Sequence, residues 1–339
     1  MKLTIAIPTY NRAKRLEKAL FDLSSEINSA SNKALIAVYV SNNGSKDNTS
    51  EVIERFSKRF NENGIPFSSR EAAINQGFDA NVLACYAGSQ SEYVWFLSDD
   101  DNIITGAIDA IIQDINQYNP TVVYYNHDQK PYDKTQPYIQ KIEYYDKVNK
   151  DNINALRKIV FWPKLTSLVI KRCKAGLNVP NKNCGFSHVT LALQCGLNGG
   201  MVLHSPVFTA HPDDDYTENI DFPPYIANNL DIGIRWVLED NNKMHLYNDL
   251  AIGLTDPLIS TLNTLGAYYR GRHVLTLPLK TELWETVFRE IKGKWLKRIV
   301  DWKSIKELVK FPVSVAYGFV FTMITRKRIT KIRQLLSDN

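Results

Sequence analysis

The sequence predicts an α/β fold, a mainly parallel sheet flanked by helices, followed by a helical C-terminal extension. Three observations predict it. Strand-type and helix-type apolar patterns alternate over residues 1–127. A thinner series of the same kind continues to about residue 218, and from Asn219 onward the pattern is chiefly helical. Alternation at this spacing places parallel strands side by side with crossover helices on both faces. The chain divides accordingly into residues 1–127, 128–218 and 219–339. At 339 residues and 44% hydrophobic content, it can bury a core that needs no disulfide or structural metal.

Leu3–Pro8 is an apolar run of strand length, and Ala13–Ile27 carries Leu16, Leu20, Leu23 and Ile27 on one helical face. Ala34–Val40, rich in Val, Ile and Tyr, is a second strand. The turn Asn42-Asn43-Gly44-Ser45 leads to a helix from about Asp47, whose carboxylate is placed to cap the first turn. Val52, Ile53, Phe56 and Phe60 form its apolar face. An extended stretch around Phe67 precedes a helix from Phe78 to about Ala87. Tyr93–Leu97 is a strongly apolar strand that runs straight into Ser98-Asp99-Asp100-Asp101. A helix from Thr105 to about Tyr118 and a strand Thr121–Tyr125 follow. Gln129–Asn152, polar and rich in Tyr and Lys, reads as a boundary loop. Beyond it come a helix Ile153–Phe161, a strand Leu165–Ile170, a helix from about Ser187 and a strand Met201–Phe208.

Charge and cysteine usage exclude several classes. The net charge of +5 is unevenly placed: residues 292–339 hold twelve basic and three acidic residues, +9, leaving −4 for the rest. A mildly acidic body with a basic tail excludes a nucleic-acid-binding protein, which stripes its charge across a folded face. Cys85, Cys173, Cys184 and Cys195 form no CxxC pair and no zinc spacing, so a reducing compartment is expected. The first apolar run is too short for a signal peptide, which makes a cytoplasmic location the expectation. No GxGxxG follows the first strand and no GxxxxGK[ST] occurs, which removes the dinucleotide fingerprint and the P-loop. The tail places Trp295, Ile299, Trp302, Ile305 and Val309 on one helical face among Lys and Arg, as an in-plane membrane helix requires. Phe311–Thr325, fifteen residues without charge, falls short of the ~20 needed to span a bilayer. A peripheral attachment to anionic lipid is the expectation, with a helical pair packed on the body as the alternative.

The richest chemistry lies at Asp99-Asp100-Asp101. Three carboxylates at the carboxyl end of an apolar strand repel one another unless a cation or hydroxyl groups share their charge. Ligands of open α/β sheets bind at that end. Strand alternation puts Asp99 and Asp101 on one face and Asp100 on the other. Hard carboxylate oxygens suit Mg or Mn bound together with a diphosphate. An acidic turn capping the next helix is the bland alternative.

Ile5–Arg12 (IAIPTYNR), Val40–Thr49 (VSNNGSKDNT), Asn75–Asn81 (NQGFDAN) and Tyr93–Asp101 (YVWFLSDDD) stand in an order and spacing that resembles the family 2 glycosyltransferases of GT-A fold, a Rossmann-like architecture. The flavour is similar to bacterial O-antigen and capsule enzymes such as the abequosyltransferases. The resemblance implies transfer of a sugar from a nucleotide-sugar donor to a hydroxyl of a lipid-linked saccharide, with a divalent cation, at the inner face of the cell membrane. It implies that Pro8, Thr9, Tyr10 and Arg12 line or border the nucleoside pocket, with Asn75, Gly77 and Asn81 on the donor side. Asn42 stands where the family usually has an Asp facing the base, and an amide there suits cytosine as well as uracil. Asp99 and Asp100 would hold the ribose side. Asp101, with Asp99 and His211, would hold the metal. The acceptor half, residues 128–218, usually carries a Glu-Asp pair at a helix start, where the chain has Gly185-Phe186-Ser187-His188. His188 then takes the position of the catalytic base, for which its ordinary pKa of ~6.5 suits it. A retaining mechanism, or a base drawn from Asp213, Asp214 or Asp215, stays open. Two other readings compete: a sugar-1-phosphate nucleotidyltransferase, which normally shows a Gly-rich loop where this chain has PTYNR, and an inactive membrane-bound scaffold.

Overall fold

The computed structural model describes residues 1–125, 143–145, 153, 156, 159–160, 164–172, 186–197, 200–204, 208–210, 224–247 and 249–251. Eight strands form one sheet in the order β3-β2-β1-β4-β8-β6-β9-β7. These are β1 (Leu3–Thr9), β2 (Ile36–Asn42), β3 (Phe67–Glu71), β4 (Tyr93–Phe96), β6 (Val122–Tyr125), β7 (Glu143–Tyr145), β8 (Leu168–Lys171) and β9 (Met201–His204). The half from β3 to β4 is parallel throughout, as the alternation of strands and helices predicts. β8 enters antiparallel between β4 and β6, and β9 returns parallel to β6. A separate two-stranded ribbon pairs β5 (Asp101–Ile103) with β10 (Phe208–Ala210).

Alternating strand residues feed two cores, one on each face. Leu3, Ile5 and Ile7 of β1 pack with Tyr93 and Trp95 of β4 against α1 (Ala13–Ser29), α2 (Thr49–Glu62) and α4 (Ala107–Tyr118). Ala6, Val94, Phe96, Val122 and Tyr124 face the other way, onto α3 (Phe78–Gly88), α5 (Ser187–Gly196) and α6 (Pro224–Asp240). A sheet covered on both faces has near-continuous apolar strands, which is why β1 and β4 show no polar alternation. On α1 the helical face expected from the leucine spacing, Leu16, Leu20, Leu23 and Ile27, is entirely buried.

Four expectations are corrected. Lys33–Leu35 and Leu165–Ser167 are 3₁₀ turns, so the strands expected from Ala34 and Leu165 begin later, at Ile36 and Leu168. The strand expected over Met201–Phe208 is two strands that serve different sheets. The boundary loop contains β7, an edge strand paired with β9. Its polar composition is what an edge strand tolerates, and it concealed the strand. Of the helix expected at Ile153–Phe161, the described residues Leu156, Ile159 and Val160 are helical and Ile153 is in a turn; all four are buried. The basic tail from Lys292 lies outside the described residues, as do His211 and Asp213–Asp215.

Candidate active site

The carboxyl ends of β1, β2 and β4 lie side by side and carry the polar cluster. Asn11, at φ 52°, turns the chain sharply after β1, a conformation that Asn tolerates better than most residues. It is laced to the loop after β2: its amide donates to Ser45 Oγ at 2.8 Å, and its side-chain oxygen accepts from Lys46 N at 2.7 Å. Gly44, at φ 74°, lies so close to the following segment that a Cβ would meet the Ile74 carbonyl carbon at 2.8 Å. Only glycine fits there. Asp47 accepts from Thr49 N at 3.2 Å, as a cap for α2 should, and also from Ala13 N at 3.0 Å at the start of α1. Burial works against its charge, yet these amides and the Thr49 hydroxyl hold its carboxyl below the usual range.

The aspartates divide differently from strand alternation. β4 ends at Phe96, and Asp101 N–H reaches back to Ser98 O at 3.4 Å, so the segment is a turn. Asp99 accepts from Thr9 Oγ1 at 2.7 Å and from Arg12 Nη1 at 2.8 Å; it is 3% exposed. The same Arg12 nitrogen donates to Asp100 Oδ2 at 2.9 Å, and Arg15 Nη1 stands 3.5 Å from that oxygen. Asp99 and Asp100 therefore share one cation, while Asp101 turns to Thr166, whose hydroxyl donates to Asp101 Oδ2. This corrects the expected pairing of Asp99 with Asp101.

Burial raises the pKa of Asp99 above the usual carboxylate range, against the pull of Arg12 and Thr9. Asp101 is pushed up to about 6, first by burial and then by Asp100 and Asp99, with Thr166 and Lys164 opposing. A site whose buried carboxylates resist ionisation is short of positive charge. Its chemistry fits a hard cation. Both Asp99 oxygens are committed to Thr9 and Arg12, whereas Asp101 has one oxygen that no described residue occupies. Among the described residues no three His, Cys, Asp or Glu side chains converge on one point. A cation here would draw on Asp101 and complete its shell from phosphate oxygens and water, as Mg commonly does.

The other expected residues are anchors or rim. Pro8, Thr9, Asn42 and Asn81 are buried, while Tyr10 and Arg12 are exposed. Asn42 donates to Ser50 Oγ at 3.1 Å and accepts from Ser45 N at 3.1 Å, holding its own loop. Asn81 donates to the Thr9 carbonyl and accepts from Ser41, tying α3 to the ends of β1 and β2. Asn75 accepts from Asn43 Nδ2 at 2.8 Å and from Gly77 N at 2.9 Å, which shapes the turn entering α3. His188 is fully buried in the first turn of α5, with the rings of Phe78 and Phe186 centred 5.8 and 5.5 Å away. Asp79 fixes that helix start by accepting from Ser187 N at 2.8 Å. Phe78, which meets His188 edge-on, is itself 49% exposed.

Sequence reasoning missed Arg15 and Thr166. Arg15 lies in the first turn of α1, three residues after Arg12, a proximity in sequence that could have found it. Thr166 carries no local signal, because it reaches Asp101 across 65 residues of chain.

A family model described as glycosyl transferase family 2 matches residues 4–176, just over half of the chain. The chain is 31% identical over 113 residues to the abequosyltransferase RfbV of Salmonella typhimurium, covering 33% of this chain and 32% of that protein. It is 30% identical over 116 residues to the GalNAc(5)-diNAcBac-PP-undecaprenol beta-1,3-glucosyltransferase of Campylobacter jejuni, covering 34% and 35%. The matched stretch thus spans about a third of each of these curated relatives. Among solved structures, TarS 1–349 of S. aureus superposes with a TM-score of 0.57 at 15% identity, covering 98% of this chain and 92% of that one. The mannosyltransferase PcManGT of Pyrobaculum calidifontis, in complex with GDP-Man and Mn2+, gives 0.52 at 13% identity, covering 84% and 83%. These likenesses show the GT-A fold. With the extent of the family match, they establish that the chain belongs to glycosyl transferase family 2.

Proposed function

We propose that the chain transfers a sugar from a nucleotide-sugar donor to a hydroxyl of a lipid-linked saccharide during assembly of a bacterial surface polysaccharide. One observation carries the reading: the Asp99–Asp101 turn at the end of β4 is gripped by Thr9 and Arg12 from the end of β1, beside an exposed Tyr10. Donor ligands of such sheets bind at this end. The names of relatives add support. One is named as a glucosyltransferase of a PP-undecaprenol-linked saccharide, and TarS has been solved with UDP-GlcNAc.

In this reading Tyr10, Pro8 and the Asn42 loop border the nucleoside, and Arg12 and Arg15 balance the aspartates while the donor is seated. Asp101 holds Mg or Mn, which when bound supplies Lewis-acid stabilisation to the leaving diphosphate. His211 is the second ligand we assign, since it follows Ala210, which pairs with Asp101 in the ribbon. Residues 128–218 form the acceptor half. His188 takes the acceptor proton, which requires the surrounding side chains to move, since it is fully buried. The tail holds the protein on anionic lipid at the inner face of the membrane. Among the described residues, no helix is long and apolar enough to cross a membrane.

A thermal-shift panel of UDP, GDP, CDP and dTDP sugars with Mn tests the reading, because a bound donor raises the melting midpoint by mass action. One nucleotide class is expected to stand out, with slow release of its diphosphate. A panel without any shift, or release of nucleoside monophosphate, overturns it.

A further inference from the structure

Thr166 lies in the 3₁₀ turn Leu165–Ser167 that leads into β8, and it is fully buried. Its hydroxyl oxygen accepts the Ser98 N–H at 3.0 Å and donates to Asp101 Oδ2. A hydroxyl has one proton to give. With the Ser98 amide supplying a donor on one side, that proton is directed to the carboxylate. The Thr166 carbonyl in turn accepts from the Trp95 indole at 2.9 Å, and Trp95 is itself fully buried in β4. Ser98 closes the circuit, since its carbonyl accepts the Asp101 amide at 3.4 Å. The hydroxyl is thus held on the rigid seam where β8 enters the sheet between β4 and β6. It bonds both ends of the turn that presents Asp101.

We infer that Thr166 is a positioning residue for the cation-binding carboxylate: it holds one oxygen of Asp101 so that the other is available to the metal. The inference rests on the cation reading given above. A buried threonine kept only for packing would pair its hydroxyl with a backbone carbonyl of its own turn. This one bridges a backbone amide and a carboxylate 65 residues away. Partners that orient a metal ligand typically change affinity by about 10–100-fold when removed.

Manganese, titrated into the full chain with the nucleoside diphosphate that gives the largest thermal shift and followed by the loss of the free-ion paramagnetic signal against a protein-free blank of the same nucleotide, is the direct readout. Asp101→Asn is expected to abolish binding, Thr166→Val to weaken it about 10–100-fold, and Thr166→Ser to restore it nearly to wild type. Thr166→Ala is the second hydroxyl-free variant, should valine prevent folding as judged by circular dichroism. Manganese affinity of the folded Val or Ala variant equal to wild type, alongside loss in Asp101→Asn, overturns the role of Thr166 and leaves the cation reading standing. Equal weakening by Thr166→Ser and Thr166→Val also overturns it, because a conserved hydroxyl would then make no difference. Absence of manganese binding by the wild-type chain in the presence of each of UDP, GDP, CDP and dTDP overturns the cation reading itself, and this inference with it.

Discussion

Asp101 and His188 occupy opposite kinds of environment, and their substitution should separate two effects. Asp101 is a buried carboxylate pushed up to about 6, with repulsion from Asp100 and Asp99 adding to its burial. Replacing it with Asn keeps the shape and removes the charge that a cation needs. Asp101→Asn is expected to lower turnover by roughly two orders of magnitude or more, the scale of losing a major electrostatic stabiliser. Full activity of this variant, or of wild type in excess EDTA, would be incompatible with a cation at Asp101. His188 packs against the rings of Phe78 and Phe186. If it acts as the base, His188→Ala should lower kcat while the donor's binding constant stays within about threefold, since a base acts in the transition state. Collapse of donor affinity with turnover intact would make it a structural residue of the α3–α5 contact.

At the scale of elements, the helix α4 shows how a residue can serve a helix that it does not belong to. Gly106 precedes α4 at φ 85° and offers no side-chain cap; Glu26, from the end of α1, accepts from Gly106 N at 2.8 Å instead. Burial raises the Glu26 pKa, with the Ile108, Gly106 and Ala107 amides opposing. The folded state then binds more protons than the unfolded chain just above the ordinary Glu value of 4.5. Stability must therefore fall as pH rises through the folded-state pKa. Glu26→Gln can still accept from Gly106 N and lacks that titration, so denaturant midpoints of the two proteins should converge near pH 4 and shift in favour of Gln by pH 7. A gap that is constant with pH would refute this. The same kind of element explains what could be read in advance. β1, β4, α1 and α2 declare themselves because periodicity is local and both faces of their sheet are buried. The 3₁₀ turns at Lys33 and Leu165 are three residues each, too short to leave a period, and the edge strand β7 depends on a partner distant in sequence. Likewise Thr9, Arg12 and Asp99 were legible as motif residues, but their mutual bonds were not. The turn after Phe96 decides which carboxylate meets Arg12, and turn geometry leaves no period in the sequence.

Over the whole molecule, charge and apolar pattern separate the chain into a body and a tail. The body carries −4 and the tail from Lys292 carries +9, and the residues proposed to bind the nucleotide-sugar lie before residue 102, with Lys164 and Thr166 just before β8 of the same sheet. A chain ending near Glu290 should therefore stay folded and still bind or slowly hydrolyse the donor. It should no longer sediment with vesicles containing anionic lipid. The full-length protein should lose that sedimentation progressively with salt, as the ~10 Å Debye length at 0.1 M shortens. Each Lys or Arg near such a surface contributes about 1 kcal/mol, so the basic excess alone can hold the protein there. The Trp295/Ile299/Trp302 face adds an apolar contribution that salt does not screen. Trp302→Ser, which changes no charge, should then weaken vesicle binding even at low salt, whereas a purely electrostatic attachment would be nearly unaffected. If the full-length protein ignores anionic vesicles, or the shortened chain is unfolded, the tail belongs to the core and the membrane role is lost.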